Sequence, residues 1–368
     1  MAFSLRRALG IVVVTAVAGA HPLAGQGTPA PSAAPAPVPA PQVTVGGVVY
    51  AQGVYQLADT AGHQNNFDVT RGYVNLIGKF AGGIYTRVTL DLFSVTASTG
   101  NNDAGSYDYR VKYAYVAWTP GKSPLTYKLG MIHTPWLDWE EALWDYRMQG
   151  QMAMERAGTI TPIAGGAYLT SSDLGFGIDG KAKDDRANLQ VALVNGEGYH
   201  GGVGDKRKDL EGRLSVRLLG TNDNSRVGGL RLTAYGQYGK PTGGGTRNRA
   251  LVMVSYRSKE LTLAAEAAAT KDSVAAATIP SNGHVYSAFG VFHIPQSKAA
   301  IIARADILKP QVAVADNQTT RIIGGVSYQV SANLRALLDW DFLSYQATPT
   351  PAQVTTRSQG LLQIQFTF

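Results

Sequence analysis

The 368-residue chain has no cysteine, which excludes a disulfide framework and any thiolate nucleophile or ligand. It has only six histidines, His21, His63, His133, His200, His284 and His293. None stands in a Ser- or Asp-rich motif or at metal-ligand spacing, so neither a hydrolytic constellation nor a metal centre is indicated, and no cofactor is expected. No run reaches 18 consecutive apolar residues, so no helix is long enough to cross a bilayer. The nearest approach to a phosphate loop, GGVGDKRKD (201–209), lacks G-K-[ST] and any strand-to-helix setting, and reads as a solvated loop. The formal charge of +7 is spread along alternating positions rather than gathered in one stripe, which argues against nucleic-acid binding.

What is abundant points to strands. Glycine (42), tyrosine (18) and a hydrophobic fraction of 45%, with little sustained helical periodicity, favour an all-β protein. The first residues, MAFSLRRALGIVVVTAVAGA, carry a positive n-region at Arg6 and Arg7, a short apolar run and an A-G-A site. This reads as a cleaved signal peptide, residues 1–20. Residues 21–42 include GTPAPSAAPAPVPAPQ, a Pro/Ala-rich periplasmic linker of polyproline character. The folded body is then 43–368.

Sixteen strand-like segments follow, at 43–57, 67–80, 83–95, 106–119, 124–133, 172–182, 186–195, 209–219, 228–240, 247–258, 259–271, 283–294, 298–309, 319–330, 331–346 and 359–368. Connections after segments 2, 4, 6, 10 and 14 are tight; those after 1, 3, 5, 7, 11 and 15 are longer and rich in Gly, Asn, Asp, Thr and Pro. GTNDNSRV after segment 8 is the exception. Short turns on one rim and long loops on the other are the pattern of an outer-membrane barrel.

Charge alternates along the segments. In YTRVTLDLF, Arg87 and Asp91 share a face opposite Val88, Leu90 and Leu92. In YDYRVKYAYVAW, Arg110 and Lys112 alternate with Tyr109, Val111, Tyr113 and Tyr115. No charge falls in mid-segment on the apolar face, where Arg or Lys facing lipid would cost roughly 2–4 kcal/mol. The last segment, LLQIQFTF, puts Leu362, Ile364, Phe366 and Phe368 on one face. It resembles the terminal strand, with a final aromatic, by which outer-membrane barrels are read by their assembly machinery, so Phe368 is expected to serve as the assembly signal.

The fifth connection, 134–171, is by far the longest. Asp138 and Glu141 suggest a capping box, and the spacing predicts a helix over 138–149. Folded inward as the third extracellular loop, it would set a constriction with Trp136, Glu140, Glu141, Trp144 and Glu155 and present Arg147 and Arg156 to a water-filled lumen.

KLGMIHTPW (128–136), MERAG (154–158), SSDLGFGIDG (171–180) and VALVNGEGY (191–199) resemble elements of the phosphate-selective porin O/P family. The resemblance implies a sixteen-stranded barrel, often trimeric, that passes phosphate or other small anions along lumen-facing Arg and Lys. The family's arginine ladder has no residue-by-residue counterpart here. Strand phase supplies Arg71, Arg87, Arg110, Lys112, Lys128, Arg213, Arg217 and Arg304 as the expected pore-lining, anion-binding cations. The expectation is a non-enzymatic porin of the bacterial outer membrane for passive diffusion of small, anionic solutes. It would sit among outer-membrane lipids, as a homotrimer. The competing reading is a plugged barrel whose outer loops bind or adhere.

Overall fold

In a computed structural model of the chain, the described residues are 40–58, 65–95, 105–155, 167–199, 201, 204–274, 281–346 and 356–368. The segments assigned as signal peptide and most of the linker lie outside them, as does Arg156.

The strands are β1 (Gln42–Ala58), β2 (Asn65–Phe80), β3 (Ile84–Ser94), β4 (Tyr107–Trp118), β5 (Leu125–His133), β6 (Ser172–Lys181), β7 (Ala187–Val194) and β8 (Asp209–Leu219). They continue as β9 (Gly229–Gly239), β10 (Gly245–Arg257), β11 (Leu261–Val274), β12 (Ser281–His293), β13 (Ala299–Lys309), β14 (Thr319–Gln329), β15 (Leu334–Tyr345) and β16 (Thr356–Thr367). Each pairs antiparallel with its sequence neighbours, and β16 returns to β1, so the sheet is a closed barrel without edges. Every segment read from the sequence becomes a strand. β1 starts at Gln42, one residue inside the stretch assigned to the linker. β15 starts three residues later than expected, because Ser331–Asn333 is taken up by the turn in which Ser331 N–H bonds to Leu334 O.

The faces are inside out relative to a soluble protein. Leu214, Val252, Leu263, Ile301, Val326, Leu338 and Leu362 are exposed on the outer surface, while Arg213, Arg249, Glu266, Arg304, Asp306, Arg321, Asp339 and Asp341 are buried within. Period-2 alternation with one apolar and one polar face produces this directly.

Alternation breaks in β4. Thr89 pairs with Tyr113 but Leu90 pairs with Val111, so Lys112 is an extra residue in a β-bulge. Lys112 and Tyr113 are therefore both buried, at 1% and 5% exposure, and Tyr115 follows them inward. The sequence reading had Tyr113 and Tyr115 on the outer face; the bulge moves both into the lumen.

Candidate pore and its constriction

The long connection turns into the barrel directly after His133. Among its described residues the one α-helix, α1, is Leu137–Trp144, shorter than expected. It opens at Trp136 with no side-chain cap and stops at Asp145, which adopts the left-handed conformation (φ 56°). The expected capping box is absent because Asp138 lies in the first turn and its carboxylate is held by Arg226, at 2.6 Å. Beyond α1 the chain makes two short 3-10 turns, Arg147–Gln149 and Ala153–Glu155.

Three tryptophans seat the loop. Trp136 packs on Tyr235 with centroids 5.8 Å apart, Trp144 meets Phe289 at 5.4 Å, and the Arg213 guanidinium lies 4.1 Å from the Trp139 ring. All three are fully buried. A non-repetitive segment inside a barrel leaves backbone carbonyls that need donors, and the wall supplies them. Arg213 Nε donates to Pro135 O at 2.9 Å, Arg226 to Asp138 O at 2.7 Å, and Arg335 to Asp145 O at 2.9 Å. Arg304 donates to Gln151 O at 3.1 Å, Gln363 to Met148 O at 2.9 Å, and Arg249 to Tyr168 O at 3.2 Å. Arg257 donates to Ala142 O, where a cation also favours the helix C-terminus. Arg226 belongs to the turn after β8, the long exception on the short-turn rim. That turn is long because it folds inward beneath α1, burying Val227 and binding Asp138.

Within the loop Arg147 is a clamp. It forms a two-pronged contact with Glu155 and lies 3.2 Å from Glu141. Burial works against the charge on Glu155, but Arg147 holds its carboxyl down at about 2. Burial likewise opposes ionisation of Asp138, and Arg226 and His133 hold it well below the usual carboxylate range. Glu140 goes the other way: burial and then Glu266 push it well above that range.

The expected pore-lining cations thus separate into groups. Arg213 and Arg304 face inward but are covered by the loop, whose carbonyls they bind. Arg147 turns back onto the loop's own acids. Glu140, Trp136 and Trp144 are packed against the wall rather than facing water. Arg217 sits at the short-turn rim bonded to Asp184 O, and Lys128 is neutralised by Asp179.

Arg71, Arg87, Arg110 and Lys112 remain, on β2–β4. Here Gln52, Arg71, Tyr73, Asn75, Tyr85 and Arg87 keep partial exposure, whereas the inward side chains of β9–β13 are covered. The remaining opening therefore runs along β1–β4. Arg110 pairs with Asp91 at 3.1 Å. Lys112 donates to Tyr73 Oη at 2.8 Å, with its ammonium 4.8 Å from the Tyr73 ring and 5.6 Å from those of Tyr113 and Tyr199. Arg71 also donates to Tyr73 Oη. Arg87 bonds Thr89, Asn75 and His133 and lies 4.6 Å over Tyr113, itself stacked on His133 at 3.9 Å. Among the described residues, Arg71, Arg87 and Lys112 form no ion pair. Rings and neutral polar groups hold them.

Sequence reading missed the aromatic supports Tyr73, Tyr113 and Tyr199 and the loop anchors Arg226 and Arg257. Tyr73 and Tyr199 reach Lys112 only through the tertiary fold, and Tyr113 faces inward with it only because of the bulge. The signal for Arg226 was the anomalous length of its turn.

No family model matches the chain, and no curated protein matches it. Solved structures do. OmpT of Vibrio cholerae aligns with a TM-score of 0.61 at 11% identity, covering 90% of this chain and 98% of that one. Salmonella typhi OmpF, in complex with daunomycin, gives 0.59 at 15% identity, covering 89% and 97%. A mutant Rh. blastica porin gives 0.54 at 13%, covering 89% and 100%. The likeness is one of fold. The chain is a sixteen-stranded barrel of the porin type.

Proposed function

We propose that the protein is an outer-membrane porin for passive diffusion of small solutes, with a preference for anions. The observation that carries this is the wall of Arg71, Arg87 and Lys112: among the described residues, three cations without an ion pair, beside inward side chains of β1–β4 that keep partial exposure. Fixed positive charge in a low-dielectric-walled passage raises local anion concentration and excludes cations. The exposed apolar outer band and closed sheet suit a lipid surround, and the first twenty residues supply export. The resemblance to the phosphate-selective porin O/P family makes phosphate the first solute to try. A homotrimer is the proposed assembly; a Vibrio cholerae OmpT structure of the same fold is described as a trimer form.

The test is the reversal potential across a planar bilayer in a KCl gradient, followed by block of the chloride current with phosphate. Anion selectivity that weakens in an Arg71/Arg87/Lys112 charge-removal variant is expected. Cation preference in the native channel would refute the reading. A second reading, a plugged barrel acting through its outer loops, draws on the depth to which 134–155 fills the lumen; the absence of any unit conductance would select it.

A further inference from the structure

On the side of the loop away from the opening, α1 presses Glu140 against Glu266 of β11. The two side chains are 0% and 5% exposed, and their carboxyls meet within hydrogen-bonding reach. A carboxylate cannot donate to a carboxylate, so the contact requires a proton on one of them. No neighbouring donor is bonded to either carboxyl. From β13, Arg304 Nε is bound to Asp306 at 2.8 Å and Nη1 to Gln151 O at 3.1 Å, and its buried Nη2 makes no hydrogen bond to either glutamate. From β12, Ser287 donates to Asp306 at 2.8 Å, and Phe289 is apolar. From the loop, the buried Trp136 indole N–H makes no hydrogen bond, and the more distant Glu155 is already held by Arg147. Three carboxyls thus surround one guanidinium, and Asp306 holds it. With both groups ionised, no carboxyl oxygen of Glu140 or Glu266 has a hydrogen-bond donor. Among the described residues no group of three or more His, Asp or Glu is placed to hold a metal ion, so a proton is the occupant the geometry admits.

We propose that Glu140 and Glu266 form a single-proton latch that seats the constriction loop on the β11 wall and releases it as pH rises. The latch concerns how the loop is seated and is independent of what passes the pore. The sign follows from linkage. Glu140 is raised in the docked loop, so docking binds a proton that an undocked, solvated Glu140 would lose. The latch is at full strength below the ordinary glutamate range and weakens as pH climbs from there toward the docked value. Above that value two like charges would face each other in a dry contact, which favours release.

Acrylamide quenching reads loop docking without requiring conduction. A Trp118→Phe/Trp340→Phe background leaves Trp136, Trp139 and Trp144, all in the loop, as the remaining three of five tryptophans. In detergent micelles the quenching constant is expected to rise about twofold or more between an acidic and an alkaline buffer, about pH 5 and about pH 9, as the latch weakens. Glu140→Gln in the same background, neutral at every pH and still able to donate, is expected to stay protected throughout. Should that variant fail to fold, Glu266→Gln makes the same test, because it also removes one of the two charges. Equal protection of the parent at both pH values, or an unchanged rise in the glutamine variant that folds, would overturn the latch.

Discussion

The ring of Phe368 lies over Gly47, so close that a β-carbon on Gly47 would come within 2.4 Å of the ring and 2.4 Å of the Tyr73 carbonyl oxygen. The two backbones are also joined, Phe368 N–H to Gly47 O at 3.0 Å and Gly47 N–H to Phe368 O at 2.9 Å. This is the seam at which the barrel closes. Gly47→Val is expected to lower the yield of closed, heat-modifiable barrel on gel electrophoresis. Phe368→Ala should not rescue it, because the Tyr73 carbonyl would still clash. Rescue by the smaller terminal residue would show that only the ring matters.

The Lys112 ammonium lies among rings rather than beside a carboxylate. Lys112→Met retains the apolar stem and removes the ammonium, and should lower the anion-to-cation permeability ratio while costing about 1 kcal/mol of cation–π stabilisation. The double variant Arg110→Gln/Asp91→Asn removes a pair whose charges already cancel and should leave the ratio near native. A reversal potential that moved more for the pair than for Lys112→Met would contradict this division of the wall.

The Arg147–Glu155 clamp is buried on both sides. Glu155→Gln would leave the guanidinium with Glu141 alone, and breaking a buried pair of this kind costs about 3 kcal/mol. The loop should loosen, giving larger and noisier unit conductance, while thermal unfolding of the barrel changes little. Conductance steps of native size and stability would remove the clamp from the account.

Acid should act on the same clamp. The Glu155 carboxyl is held down at about 2, so its contribution is complete above the ordinary glutamate range near 4.5 and is lost as pH falls through about 2. Loop tryptophans should stay protected at about pH 4 and become quenchable only in stronger acid. Exposure already at pH 4 would place the acid-sensitive group elsewhere.

Arg226 joins the inward-folded turn after β8 to Asp138 on α1. Arg226→Ala should raise acrylamide quenching of Trp139, since Asp138 would be left to His133 alone. No change in quenching would show that the tryptophan packing holds α1 without the turn.

Strand number, strand limits and the sense of each face were legible in the amino-acid sequence because they depend on local rules. A period of two, with charge on one phase and Leu, Val or Ile on the other, has only one way to form a closed sheet with an apolar exterior. The terminal LLQIQFTF shows it: Gln363 turns in to cap Met148 O, and Leu362, Ile364 and Phe366 face out. The tertiary structure decided what the inward charges do. Arg87 and Arg213 occupy the same phase in their strands, yet one borders the opening and the other is covered by Trp139, because the loop crosses to the far wall. Lys112 and Tyr113 share a face only because one extra residue opposes Thr89 and Leu90. Glu140 and Glu266 meet from residues far apart in the chain. Burial and pairing of a charge are properties of what stands opposite it across the lumen, and no local pattern carries that information.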